Sequence, residues 1–121
     1  MRFRLMLALV TVAACGGGGG SDSTPTTPFI PTTPATPIAT TAVSLQNSLF
    51  NPADIVVSPS AVVTFTNADG ISHDVVFANT AITSVAPWTS GDRTVTMPGT
   101  AGTYNYTCTI HAGMSGTVKV Q

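Results

Sequence analysis

Charge is scarce in this chain. Four Lys or Arg and five acidic residues, all of them aspartate, make up 7% of it. Two of the positive residues, Arg2 and Arg4, stand at the N-terminus, leaving Arg93 and Lys119 for everything else. No basic patch results, which excludes nucleic acid as a partner, because neutralising phosphates needs clustered Lys or Arg. Histidine and cysteine are equally sparse, at two each. Two cysteines exclude a disulfide framework. A bridge from Cys15 to Cys108 would tie a leader to a distant strand-like segment, so each thiol reads as having its own purpose. Long apolar runs are missing too. The stretch from Leu5 to Ala14 is about ten residues, too short to cross a bilayer as a permanent helix. Apolar residues at helical spacing are also absent, and β-branched and aromatic residues dominate instead.

What is there falls into three parts. Met1-Arg2-Phe3-Arg4 followed by an apolar run has the shape of a secretory signal, expected to span residues 1–14. It ends in Val12-Ala13-Ala14-Cys15, which resembles a bacterial lipobox with Val12 where Leu is usual. That resemblance implies cleavage before Cys15 and acylation of its thiol. The segment from Cys15 through residue 41 follows, with Gly16 to Gly20 and then prolines at every third position from Pro25 to Pro37. Three residues per turn is the polyproline II period, so this reads as a flexible joint leading into a semi-rigid spacer. At full stretch it reaches roughly 80 Å. Residues 42–121 are the expected folded domain, small enough for a bound metal to help its core.

This domain reads as all β. Strands are expected at Val43 to Phe50, Asp54 to Ser58, Ala61 to Asn67, His73 to Phe77, Arg93 to Met97, Gly102 to Cys108 and Thr117 to Gln121. Ala61, Val63 and Phe65 alternate with Val62, Thr64 and Thr66, and His73, Val75 and Phe77 share one face. Asn67-Ala68-Asp69-Gly70 and Ser90-Gly91-Asp92 carry turn chemistry. Six or seven short strands separated by such signals suggest a sandwich or barrel.

The chemistry concentrates in Cys108-Thr109-Ile110-His111-Ala112-Gly113-Met114, where Cys, His and Met fall at three-residue intervals just after a strand. His73 opens another strand, which in a sandwich can lie beside the one ending at Cys108. Singly, each residue has a duller reading: a buried cysteine as a small hydrophobe, Met114 as core filler, His73 as a satisfied core histidine, His111 as a surface residue. Together they use both histidines of the chain and the only cysteine of the domain. Two imidazoles and one thiolate with a weak axial thioether are the donors of an electron-transfer copper site. Zinc is the rival metal, but structural zinc rarely recruits methionine.

These residues, together with Phe50-Asn51-Pro52, Val63 to Asn67, Val75-Val76-Phe77, Gly102 to Cys108 and Gly116-Thr117-Val118, resemble the plastocyanin-type cupredoxins. Two residues separate His111 from Met114, a short interval similar to that of amicyanin and pseudoazurin. The resemblance implies a Greek-key β-sandwich, which brings the expected count to about seven to eight strands, with one type 1 copper near one end. It also implies that His111 is the partly exposed ligand through which electrons leave, with Ala112, Gly113 and Pro52 as the matching apolar surround. Two departures stand out. Asp74 replaces the Asn that usually follows the first histidine, with Thr109 as its expected partner, and Ile110 replaces a loop proline.

The expected function is therefore a monomeric, lipid-tethered one-electron shuttle at the outer face of a bacterial membrane, in the periplasm or its equivalent. Its partners would be redox proteins met transiently. An oxidase or nitrite reductase needs further histidines for a second copper centre, so an enzyme is not expected. The alternative is a copper carrier or storage protein of the cell envelope, which would want exposed, exchangeable ligands.

Overall fold

The computed structural model describes residues 35–121. The expected signal, Cys15 and most of the Thr/Pro spacer lie outside the described residues. Ten strands follow one another: β1 (Ile38–Ala39), β2 (Ala42–Gln46), β3 (Leu49–Asn51), β4 (Asp54–Val57), β5 (Val62–Asn67), β6 (His73–Phe77), β7 (Val85–Trp88), β8 (Gly91–Thr96), β9 (Gly102–Thr107) and β10 (Ser115–Val120). Among the described residues no helix forms. The strand count is higher than the expected seven to eight because Val43 to Phe50 is broken in two and because β1 and β7 form where no strand was expected. Asn47 and Ser48 both take left-handed φ, 53° and 54°, and turn β2 back on β3. The first strand, Ile38–Ala39, precedes the expected domain start at Ala42 and pairs in parallel with β4.

Two sheets form the sandwich. One has six strands in the order β1-β4-β10-β9-β6-β7, and the other has four in the order β3-β2-β5-β8. The chain changes sheet after β1, β3, β4, β5, β7 and β8, which gives the Greek-key path. Period-two alternation decides which side chains go inside. In β5, Val63, Phe65 and Asn67 are buried while Val62 is exposed, and Val43 and Leu45 of β2 meet them from the same sheet.

Tyr106 of β9 sits at the middle of the core. Phe50, Phe65 and Phe77 surround its ring at centroid distances of 4.8, 5.4 and 5.5 Å. Such tilted and edge-on contacts are the favoured geometries for aromatic pairs. The Tyr106 hydroxyl donates to the Ala53 carbonyl at 2.7 Å, so burial leaves no polar atom unpaired there. Burial, and then the Asp54 carboxylate, push this phenol well above its ordinary pKa of 10.0. Beside it, β10 comes so close to the backbone before β4 that a Cβ on Gly116 would collide with Ala53 O and the Tyr106 ring.

Candidate metal centre

Two neighbouring strands of the larger sheet deliver the site. β6 and β9 run antiparallel, with Val76 opposite Thr107 and Phe77 opposite Tyr106. Continuing that register carries Cys108 and Thr109 alongside Val75 and Asp74, at the end of β6 where His73 lies. On its other side His73 pairs with Trp88 of β7, and a bulge shifts the register between His73 and Val75. His73, Val75 and Phe77 are all buried, as the alternation predicts, but Asp74 between them is buried as well.

The loop after β9 then brings the remaining donors round. Cys108 N–H donates to Met114 O at 2.9 Å, and Met114 N–H donates to His111 O at 3.4 Å. These bonds close the loop on itself and turn Met114 inward, to 2% exposure. Gly113 sits between them with φ of 81°, a left-handed position that glycine occupies without a Cβ penalty. The ligand atoms of His73, Cys108 and His111 all lie within 4.8 Å of one another. Cys108 Sγ stands 3.8 Å from His73 Nδ1 and 3.7 Å from His111 Nδ1. The two imidazole centroids are 4.6 Å apart. His73 and Cys108 are buried, while His111 is half-buried and faces the end of the sandwich with the exposed Ala112 and Gly113.

Two aspartates brace this arrangement. Asp74, itself buried, accepts the Thr109 backbone N–H at 2.6 Å through one oxygen, and its other oxygen takes the Thr109 hydroxyl in a very short contact. The pairing of Asp74 with Thr109 expected from sequence is thus present and fixes the residue next to Cys108. Asp69 lies on the opposite side, with Oδ2 at 2.9 Å from His73 Nε2. Its carboxylate also accepts the backbone N–H groups of Asn47 and Ser48. The Ser48 amide does most to hold the Asp69 carboxyl below its usual range; partial desolvation opposes it, and Asn47 and His73 add to the lowering.

Asp69 carries no signal in the sequence beyond its place in a turn cluster. Only the fold shows that the β2–β3 turn and the loop before β6 converge on His73. The same holds for Leu49, Ile71 and Ile110, which are exposed at 58, 46 and 45%. Leu49 opens β3 just after this turn, Ile71 lies on the loop before β6 and Ile110 on the Cys108–Met114 loop, so each adds apolar surface to a segment that reaches the candidate site. Pro52, half-buried, follows β3.

A family model described as copper binding proteins of the plastocyanin/azurin family matches residues 39–121. Plastocyanin of Scenedesmus fuscus is 34% identical, in a match covering 60% of this chain and 87% of that protein. Among solved structures, a reduced Cu(I) form of an amicyanin mutant has a TM-score of 0.60 at 25% identity, covering 66% of this chain and 80% of that one. A purple cupredoxin from Nitrosopumilus maritimus has a TM-score of 0.58 at 20% identity, covering 66% of this chain and 98% of that one, a likeness of fold alone.

Proposed function

Given that the chain belongs to the plastocyanin/azurin family of copper-binding proteins, we propose that it is a one-electron shuttle holding its copper through His73, Cys108, His111 and Met114. One type 1 copper is the cofactor that the family, the plastocyanin relative and the amicyanin structure support. The observation that carries the ligand assignment is the convergence of three donor atoms within 4.8 Å at one end of the sandwich. The donor chemistry fits the group: two imidazoles and a thiolate, with a buried thioether on the same short loop, suit copper in both valence states. Bound there, copper supplies reversible one-electron chemistry between Cu(I) and Cu(II).

The residues of the chain supply everything else. Burial of His73, Cys108 and Met114 at 0, 5 and 2% exposure keeps water from the donors. The loop closed by the Cys108 and Met114 amides, and braced by Asp74 on Thr109, keeps the donors in one arrangement. Small reorganisation on changing valence makes electron transfer fast. Half-buried His111 is the route by which electrons leave, and the exposed Ala112, Gly113 and Ile110 of its own loop, with the half-buried Pro52, give an apolar surface that suits weak docking to a redox partner. A carrier or storage role is disfavoured because three of the four donors are too buried to exchange metal readily. The N-terminal pattern supports export and a lipid anchor at Cys15, with the segment from Cys15 up to the strand at Ile38 as the tether, and so a monomeric domain in the periplasm or at an equivalent outer membrane face.

The test is spectroscopic. The domain loaded with Cu(II) should show an intense thiolate-to-copper charge-transfer band, and Cys108→Ser should lose it. A colourless protein with ordinary tetragonal copper, or a preference for zinc, would refute the assignment.

A further inference from the structure

His73 is wholly buried, and its two ring nitrogens face different partners. Nδ1 is 3.8 Å from Cys108 Sγ, and Nε2 is 2.9 Å from Asp69 Oδ2. Asp69 is not a loosely placed surface acid. Oδ1 accepts the Asn47 N–H at 2.5 Å and Oδ2 accepts the Ser48 N–H at 2.9 Å. The consecutive left-handed φ values of Asn47 and Ser48 present those two amides together to one carboxylate. From behind, Asp69 N–H donates to Asn67 Oδ1 at 3.1 Å. Asn67 is buried at 4% exposure and donates from Nδ2 to Ile71 O and to Trp88 O, both at 2.8 Å. The carboxylate is therefore set in place by two elements before any metal arrives.

We propose that Asp69 is a positioning residue that fixes His73 with its proton on Nε2 and its Nδ1 free for the metal, and that its negative charge biases the site towards Cu(II). This rests on the reading of His73 as a copper ligand. The physical argument has two parts. A carboxylate accepting the far N–H of a ligating imidazole fixes the tautomer and ring orientation and raises the basicity of the ligating nitrogen. An additional fixed negative charge stabilises a doubly charged ion more than a singly charged one at the same place. Asp74 is not equivalent, because its two oxygens are committed to Thr109 and it touches neither imidazole.

Two measurements on the purified chain test this. In the metal-free protein, ¹⁵N-detected NMR of His73 should find the Nε2-protonated tautomer with a slowly exchanging, strongly deshielded proton. Asp69→Asn keeps the size of the side chain but removes its charge. It should weaken Cu(II) binding by about 10–100-fold and Cu(I) binding by less. Each tenfold loss of Cu(II) relative to Cu(I) affinity raises the reduction potential by about 59 mV. An Nδ1-protonated His73 in the unsubstituted metal-free protein would overturn the proposal without any variant. So would an unchanged potential in Asp69→Asn with its charge-transfer band intact. An unsubstituted protein lacking that band would instead overturn the ligand assignment, and the proposal with it.

Discussion

At the scale of single residues, Asp74 is a clear case of a side chain that holds the loop of the proposed donors. Asp74 is buried and engages both the amide and the hydroxyl of Thr109. Hydrogen bonds to a charged group contribute about 1.5–3 kcal/mol. Asp74→Ala should therefore destabilise the metal-free protein by about 2 kcal/mol in a urea titration and loosen the residue beside Cys108. Tyr106 gives a prediction in pH. Its pKa in the folded state lies above its unfolded value of 10.0, raised by burial and by Asp54. The stabilisation this represents is complete below that unfolded value and is lost as pH rises through the folded one. Stability should thus decline above about pH 10, and Tyr106→Phe should flatten that decline in alkaline melts. The same substitution removes the hydroxyl bond to Ala53 O, at a cost of about 1 kcal/mol near neutral pH.

At the scale of elements, adjacency of β6 and β9 is what makes a site from residues 35 positions apart. Anything that separates the strands of the larger sheet should damage the fold before it damages the chemistry. Gly116 is the sharpest case, because any Cβ there meets backbone at Ala53 and the ring of Tyr106. Gly116→Ala should cost more than about 3 kcal/mol, a value characteristic of overpacking against atoms that cannot move aside. Circular dichroism melts of this variant against Gly113→Ala, where nothing stands within 4 Å and only the φ of 81° is strained, should show the far larger loss at Gly116.

These elements also show where sequence suffices. The alternation of β5, β6 and β9, the face shared by His73, Val75 and Phe77, and the grouping of Cys108, His111 and Met114 follow from period two and from donor chemistry. The contact of Asp74 with Thr109 was legible only through the resemblance to the cupredoxins. The break at Asn47-Ser48 was not legible, since neither residue is a glycine and the apolar pattern runs on to Phe50. Asp69 was illegible for the same reason: its partners come from a turn 22 positions away that sequence joins into one strand. Leu49 and Ile71 come to segments that reach the candidate site only once that turn and the loop before β6 are brought to His73.

At the scale of the whole molecule, the described domain has a small core with the candidate metal centre built into it. His73, Cys108 and Met114, three of the four proposed donors, are buried, so copper binding at them should be coupled to folding. Copper at a thousandfold excess over its Kd contributes about 4 kcal/mol. For a domain of this size that should raise Tm by more than about 10 °C, and chelation in scanning calorimetry should reverse it. The low charge and the exposed Ile110, Ala112 and Gly113 on the loop of His111 imply docking that salt barely affects, unlike partners steered by charge.

Protein-film voltammetry of the purified full chain tests the central claim, that this protein cycles single electrons through a retained copper, most directly. The expected result is a reversible one-electron wave that persists over many cycles with one copper per chain at the end. A wave that fades as copper is released on reduction would contradict the shuttle and assign the protein to metal delivery.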